Sequence, residues 1–182
     1  MLQPNFTPFP ELKTERLLLR KITGDDALGI LALRSNKDVM KYIDRPLAAT
    51  SDDALAFIKM ITAALNTNDG ITWAIALKDA PKKLIGTIGY WRFIKQHYRA
   101  ELGYMLHPSH WRKGIMKEAL DILVPFAFNE IKLHSIEAHI NPGNIASANI
   151  LTSAGFIREA YFKEDYFFKG KFLDTAIYSR LQ

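Results

Sequence analysis

The stretch "HPSHWRKGIMKEAL", His107 to Leu120, decides how the chain is read. It joins a strand-like run, "YRAELGYML" (Tyr98–Leu106), to a run with apolar residues at helical spacing from about Gly114 to Ile131. A strand, a short loop and a helix in that order leave the first helical N–H groups unpaired and the positive end of the helix facing the loop. Arg112, Lys113 and Lys117 stand within one turn of that end, where cations oppose the helix dipole. A bound anion would resolve the conflict, and Gly114 lets a ligand approach the backbone with no Cβ in the way. A solvated basic loop ahead of an ordinary surface helix accounts for the same residues.

Working outward, "RLLLRKI" (Arg16–Ile22) reads as a strand, preceded by an extended, proline-containing lead-in over residues 1–13. Thr23 caps a helix over roughly Asp25–Arg34, with Asp25 and Asp26 in its first turn. A second helix follows Thr50 or Ser51 and runs to about Leu65. "TWAIALK" (Thr72–Lys78) and "KLIGTIGYWRF" (Lys83–Phe93) form a hairpin, and Tyr98–Leu106 continues the meander. After the long helix come a strand, "HSIEAHI" (His134–Ile140), and a helix capped by Asn144 that stops at Gly155. Two last strands, "FIREAYFKEDYFF" and "KFLDTAIYSRL", turn at Lys169-Gly170-Lys171. The order β-α-α-β-β-β-α-β-α-β-β predicts a mixed α/β (α+β) sheet flanked by helices, in one domain spanning 1–182. The crossover Tyr98–Ile140 should make its two strands parallel and adjacent. Pro125 lies inside the long helix and predicts a kink near Asp121–Val124, or two shorter helices.

Hydrophobic residues at 48% and charged residues at 24% fit a globular chain and argue against disorder. No apolar run reaches the roughly 18 residues of a membrane span. "MLQPNFTPFPELKTER" lacks the basic start and apolar core of a signal peptide. With no cysteine, disulfides, thiolate nucleophiles and cysteine–zinc sites are excluded, and a cytoplasmic protein is expected. A net charge of +5 suits an anionic ligand as well as a mildly basic surface. His107 and His110 are three apart but flank a loop, with no His-Glu-x-x-His pattern, so no metal is expected. His134 and His139 fall on opposite faces of one strand. The aromatic residues Tyr161, Phe162, Tyr166, Phe167 and Phe168 alternate poorly, as if both strand faces were covered, and read as core plus the wall of a binding site.

Four segments in order carry a family resemblance: "TERLLLR" (Thr14–Arg20), "IGTIGYW" (Ile85–Trp91) with "AELGYML" (Ala100–Leu106), "WRKGIMKEAL" (Trp111–Leu120), and "NPGNIASANILTSAGF" (Asn141–Phe156). Together they resemble the GNAT (GCN5-related) N-acetyltransferases, and within them the branch that acetylates ribosomal-protein N-termini. The resemblance implies the GNAT fold and acetyl-CoA as cosubstrate. It implies that residues 112–117 (Arg112, Lys113, Gly114, Ile115, Met116, Lys117) wrap the pyrophosphate with backbone amides. Trp111 and Met116 stand where the family usually has Gln or Arg and Gly or Ala. Met105 and Leu106 would offer backbone to the pantetheine arm, where a β-bulge would free main-chain groups. Asn144 matches the helix-start asparagine that contacts the pantetheine region, and a plain N-cap is its simpler role.

Acyl transfer to an amine needs a neutral amine, an oxyanion stabiliser and a proton donor for the thiolate. Glu101 matches a glutamate of "AEIGY"-like strands and is the expected base, acting through water. A structural carboxylate paired with Arg or Lys is the plainer alternative. Ser147 matches a serine that the ribosomal branch is thought to use as the acid, and it also suits a backbone bond in a first helical turn. The backbone N–H near Leu106 could polarise the thioester carbonyl. The expected function is acetyl transfer to a primary amine, a ribosomal-protein-like N-terminus first, by direct attack in a ternary complex. Rival readings are a small-molecule acceptor (polyamine, amino acid or antibiotic) and a non-catalytic acyl-CoA-binding module. No membrane or DNA partner is expected, and the chain would be a monomer or homodimer.

Overall fold

A computed structural model describes all 182 residues as one eight-stranded sheet with helices on both faces. The strands are β1 (Leu12–Lys13), β2 (Leu17–Lys21), β3 (Ile71–Leu77), β4 (Gly86–Ile94), β5 (Arg99–Leu106), β6 (Ser135–Ile140), β7 (Ile157–Phe168) and β8 (Lys171–Leu181), in the order β1-β2-β3-β4-β5-β6-β8-β7. Only β5 and β6 pair in parallel, as the crossover through the long helix requires.

The helices are α1 (Ala27–Arg34), α2 (Ser51–Asn66), α3 (Ile115–Phe126) and α4 (Ile145–Ser153). α1 begins two residues later than expected, because Gly24–Asp26 form a 3₁₀ turn closed by the Thr23 N–H donating to Asp26 at 2.9 Å. α2 is capped by Thr50, which accepts from the Asp53 N–H. Pro125 does not split the long helix. The chain passes from α3 straight into a π turn over Ala127–Ile131, and that wider turn follows the proline that cannot donate to Asp121.

Alternation along the strands sorts side chains onto two faces. One face carries Leu17, Leu19, Trp73, Ile75, Ile88, Tyr90, Leu102 and Ile136, packed with α3 residues Ile115, Met116, Leu120 and Leu123 into the main core. The other face is covered by α1 and α2 over its β3–β4 half, through Ile30, Leu33, Ala54, Ile58, Ala74 and Leu84. The lead-in is more than a tail. Leu2 and Phe6 are buried in the main core, and β1 pairs with β2. The last hairpin departs the other way: Tyr161, Phe162 and Phe167 are exposed, so they are not core. No helix is long and apolar enough to cross a membrane.

Candidate functional site

β5 pairs with β4 along its length but with β6 only over Arg99–Glu101, so the two parallel strands part beyond Glu101. The one irregularity of the β4–β5 ladder lies between Trp91 and Ile94, at the far end from the expected bulge. Splay alone, without a bulge, frees the main chain. The His107 N–H donates to Ile85 at 2.9 Å, which fixes the alternation: odd-numbered residues of β5 bond to β4 and even-numbered ones turn to the gap. Met105 is therefore engaged with β4, and a Cβ added at Gly86 would sit 2.5 Å from the Met105 carbonyl oxygen. This corrects Met105 as a backbone partner for a ligand. Leu106 and Tyr104 turn their main chains to the gap. The Trp111 indole N–H donates to the Leu106 carbonyl at 2.8 Å, which leaves the Leu106 N–H and both Tyr104 groups facing the gap.

The loop after β5 ends at Gly114, which caps α3 at φ +74°, with Arg112 also left-handed at φ +57°. Ile115 and Met116 point into the core at 4% exposure each. Met116 thus takes no space on the ligand side of the loop. Arg16 ties the loop to β2, donating Nη1–H to the Lys113 carbonyl at 2.9 Å and Nε–H to Glu118 at 2.6 Å. Glu118 also accepts from Thr14 and the Arg16 N–H, and these bonds hold its carboxyl below the usual range against the opposing effect of burial. Lys117 pairs with Asp121 one turn on, at 2.6 Å, so it is not a free cation. Arg112 and Lys113 are exposed and carry the positive charge of the helix start.

Glu101 sits at the splay point on the face away from α3, 5% exposed, accepting from Arg92 Nη1 at 2.9 Å. Burial raises its pKa, while His139 and Arg92 nearby pull it back in part. Its register partner Glu137 lies beside it on β6, with Arg99 Nε and His139 Nε2 each 3.6 Å from the same Glu137 oxygen. On β7, Tyr166 lies against Asp44 and Asn141.

Ser147 is on the opposite side of the sheet, buried at the start of α4, its N–H donating to the Asn144 side chain at 3.1 Å. Asn144 is therefore the N-cap of that helix. Asn149 is solvated. Beside Ser147 lies Tyr104, whose hydroxyl is buried without a partner that it reaches at hydrogen-bonding geometry. Burial pushes the Tyr104 phenol up to about 12, the Ser147 side chain pulling the other way. In the sequence Tyr104 shows itself only by its place between Leu102 and Leu106, which puts a polar atom on a core face. No group of three or more His, Asp or Glu side chains is placed to hold a metal ion, and the His107 and His110 rings stack edge to face at 6.5 Å.

Residues 16–157 match the acetyltransferase (GNAT) domain family. The chain belongs to the GNAT acetyltransferases. An N-acetyltransferase of Bacillus subtilis, YoaA, is 36% identical over 171 residues, covering 94% of this chain and 96% of that protein. The crystal structure of a GNAT acetyltransferase from Bacillus anthracis superposes with a TM-score of 0.84 at 29% identity, covering 94% and 98%. More distant relatives, each 24% identical, are the spermidine N(1)-acetyltransferase of Vibrio cholerae and the ribosomal protein uS5-alanine N-acetyltransferase of Escherichia coli; they cover 88% and 93% of this chain and 90% of their own lengths. The protein is an acetyl-CoA-dependent N-acetyltransferase of the GNAT fold. Its residues fit that cosubstrate. A helix start with a glycine cap and two exposed cations suits a pyrophosphate, and an open strand edge with free N–H and C=O groups suits the amides of a pantetheine arm.

Proposed function

We propose that this GNAT enzyme acetylates a protein N-terminal α-amine, a ribosomal protein first. The reading rests on one observation: at the gap two carboxylates, Glu101 and Glu137, lie side by side on one face of the sheet. They suit an acceptor that arrives as an ammonium. His139 on the same face is exposed, so the site opens to solvent along β6, which suits the end of a polypeptide. The backbone amides of residues 112–117, with Arg112 and Lys113, hold the pyrophosphate, Leu106 and Tyr104 pair with the pantetheine, and Asn144 orients the α4 end of the site. Glu101 takes the ammonium proton, directly or through one water. The amine nitrogen then bonds to the thioester carbonyl carbon as the carbon–sulfur bond breaks. The Tyr104 N–H, which faces the gap closer to Glu101, polarises the carbonyl oxygen. Ser147 or Tyr104 gives a proton to the leaving thiolate, and the second proton that the nitrogen sheds as it becomes an amide replaces it. No cysteine is available to carry the acetyl group, so attack is direct.

A polyamine acceptor is the second reading. Two adjacent carboxylates can pair with more than one ammonium, and a distant relative is a spermidine acetyltransferase. Thiol release measured against peptides with free Ala or Ser N-termini and against a polyamine panel separates the two. Higher kcat/KM on the peptides is expected. Turnover on polyamines alone would overturn the first reading.

A further inference from the structure

Glu101 is covered by a cation from the neighbouring strand. Its register partner on β4 is Trp91, so both side chains leave the same face of the sheet, the one away from α3. Arg92 comes next and would leave the opposite face of a regular strand. It does not. The β4–β5 ladder shifts register between Trp91 and Ile94, and Arg92 there takes a left-handed φ of +48°. That turn brings its guanidinium back over the Trp91 ring, with Cζ 4.6 Å from the ring centroid and Nη1 2.9 Å from Glu101 Oε2. Backbone strain of this kind persists where surrounding contacts hold it, and it gathers at functional sites.

An aromatic face beside a carboxylate is a place for an organic cation. The Trp91 indole and the Glu101 carboxylate make such a place, and Arg92 stands in it. The sheet alongside is bare. Gly103, two residues along β5, lies opposite Gly89, and a Cβ added at Gly103 would meet only the Trp91 indole nitrogen, at 3.6 Å. Room for the carbon skeleton of an amine therefore adjoins the carboxylate. The Arg92 side chain is 59% exposed and has a way out to water, while Glu101 beneath it is 5% exposed.

We infer that Trp91 and Glu101 form the subsite for the acceptor's ammonium, and that Arg92 occupies it until the acceptor arrives. The inference rests on the acceptor meeting Glu101 in the proposed reaction. Entry of the acceptor is then an exchange of one cation for another. The carboxylate is paired before and after the exchange, so no buried charge is left without a partner. Arg92 is the competitor that every acceptor must displace, and it sets the threshold of affinity an amine has to exceed.

Arg92→Gln removes the charge at an exposed position and keeps a polar side chain. An ion pair and a cation–π contact at a partly exposed site favour the docked arginine by about tenfold over the released one. KM for an amine that the wild type acetylates, chosen from the peptide and polyamine panel, should therefore fall about tenfold in the variant. Millimolar guanidinium chloride should then inhibit the variant competitively against the amine by refilling the vacated place. Arg92→Lys retains a cation and should keep a KM close to that of the wild type. In the Arg92→Gln background, Trp91→Leu should raise KM again by several-fold, as loss of the aromatic face requires. An unchanged or higher KM in Arg92→Gln would overturn the inference, and so would guanidinium that restores activity, since the arginine would then serve the reaction. A KM in Arg92→Lys as low as in the glutamine variant, or no response to Trp91→Leu, would overturn it as well. Glu101→Gln keeps two failures apart. A loss of kcat there, with no fall of KM in Arg92→Gln, sinks the subsite alone; full kcat there sinks Glu101 as the base.

Discussion

Replacing Gly114 with alanine separates the backbone of the anion loop from its charge. At φ +74° an alanine is strained by about 1–2 kcal/mol. The added Cβ meets nothing nearer than Arg16 Nη2 at 3.4 Å, an ordinary contact, so the protein adds no clash to that strain. For a chain of this size the melting temperature should fall by about 2–8 °C. Gly170→Ala is the matched control, with φ +79°, nothing within 4 Å, and a place in the distant β7–β8 turn. The two variants should therefore lose similar stability without ligand and differ with it. Acetyl-CoA at 100 times the wild-type Kd should stabilise wild type and Gly170→Ala by about 2.7 kcal/mol. If the new methyl raises Kd about tenfold, the same concentration stabilises Gly114→Ala by only about 1.4 kcal/mol, half the thermal shift. Thermal shift with and without acetyl-CoA reads all three proteins. An equal ligand-induced shift in Gly114→Ala and Gly170→Ala would refute close approach of the pyrophosphate to this backbone.

Glu101→Gln should lower kcat by about 10²–10⁴. A carboxyl whose folded pKa is raised contributes less stability as pH rises from its unfolded value through its folded one, so at neutral pH the glutamine variant should melt higher than wild type by calorimetry. The acid limb of the wild-type kcat/KM profile should lie above the ordinary carboxylate range, and a limb at that range would contradict a base buried at the splay. Tyr104→Phe removes a buried hydroxyl that completes no hydrogen bond, so denaturant unfolding should change by less than about 0.5 kcal/mol while thiol release slows. Asp26→Ala deletes the partner of Arg20, which reaches it through two nitrogens at 2.7 and 2.9 Å, and opens the turn before α1. Equilibrium unfolding should show a loss of about 3 kcal/mol, since Asp26 is 4% exposed and its partner is left uncompensated.

Much of the fold is legible where local chemistry and tertiary structure agree. Thr50 and Asn144 cap the helices their side chains suggest, and Gly155 and Gly170 take the positive φ their places demand. The strand–helix–strand crossover allows only the parallel pairing seen for β5 and β6. What was hidden depends on distant partners. Leu2 and Phe6 lie in an extended segment with no period to show that they reach the core. The aromatic residues of β7 break alternation as a doubly covered strand would, yet β7 is the sheet edge and exposes them. Met116 was discoverable: it shares a helical face with Ala119, Leu120 and Leu123, which takes it into the core and away from the anion loop. Glu137 and Arg92 become partners of Glu101 only through register and a bend, neither of which a linear sequence displays.

The splay between β5 and β6 does more than expose a strand edge. Glu101 and Tyr104 are three residues apart on one strand, an odd spacing, so their side chains leave opposite faces of the sheet. In a continuous sheet a base and an acid so placed could never address one reacting centre, because the ladder of main-chain bonds would lie between them. The loss of pairing after Glu101 removes that barrier where it matters, and the acetyl carbon can sit in the plane of the sheet. In the proposed reaction an amine meets Glu101 from one face while the thiolate meets Tyr104 and Ser147 from the helical face. The same parity explains why Leu106 and Tyr104 supply the free backbone groups and Met105 cannot. It also gives the Trp111 indole a role: by capping the Leu106 carbonyl it occupies an acceptor at the end of the gap and leaves the Leu106 N–H as the free main-chain group there.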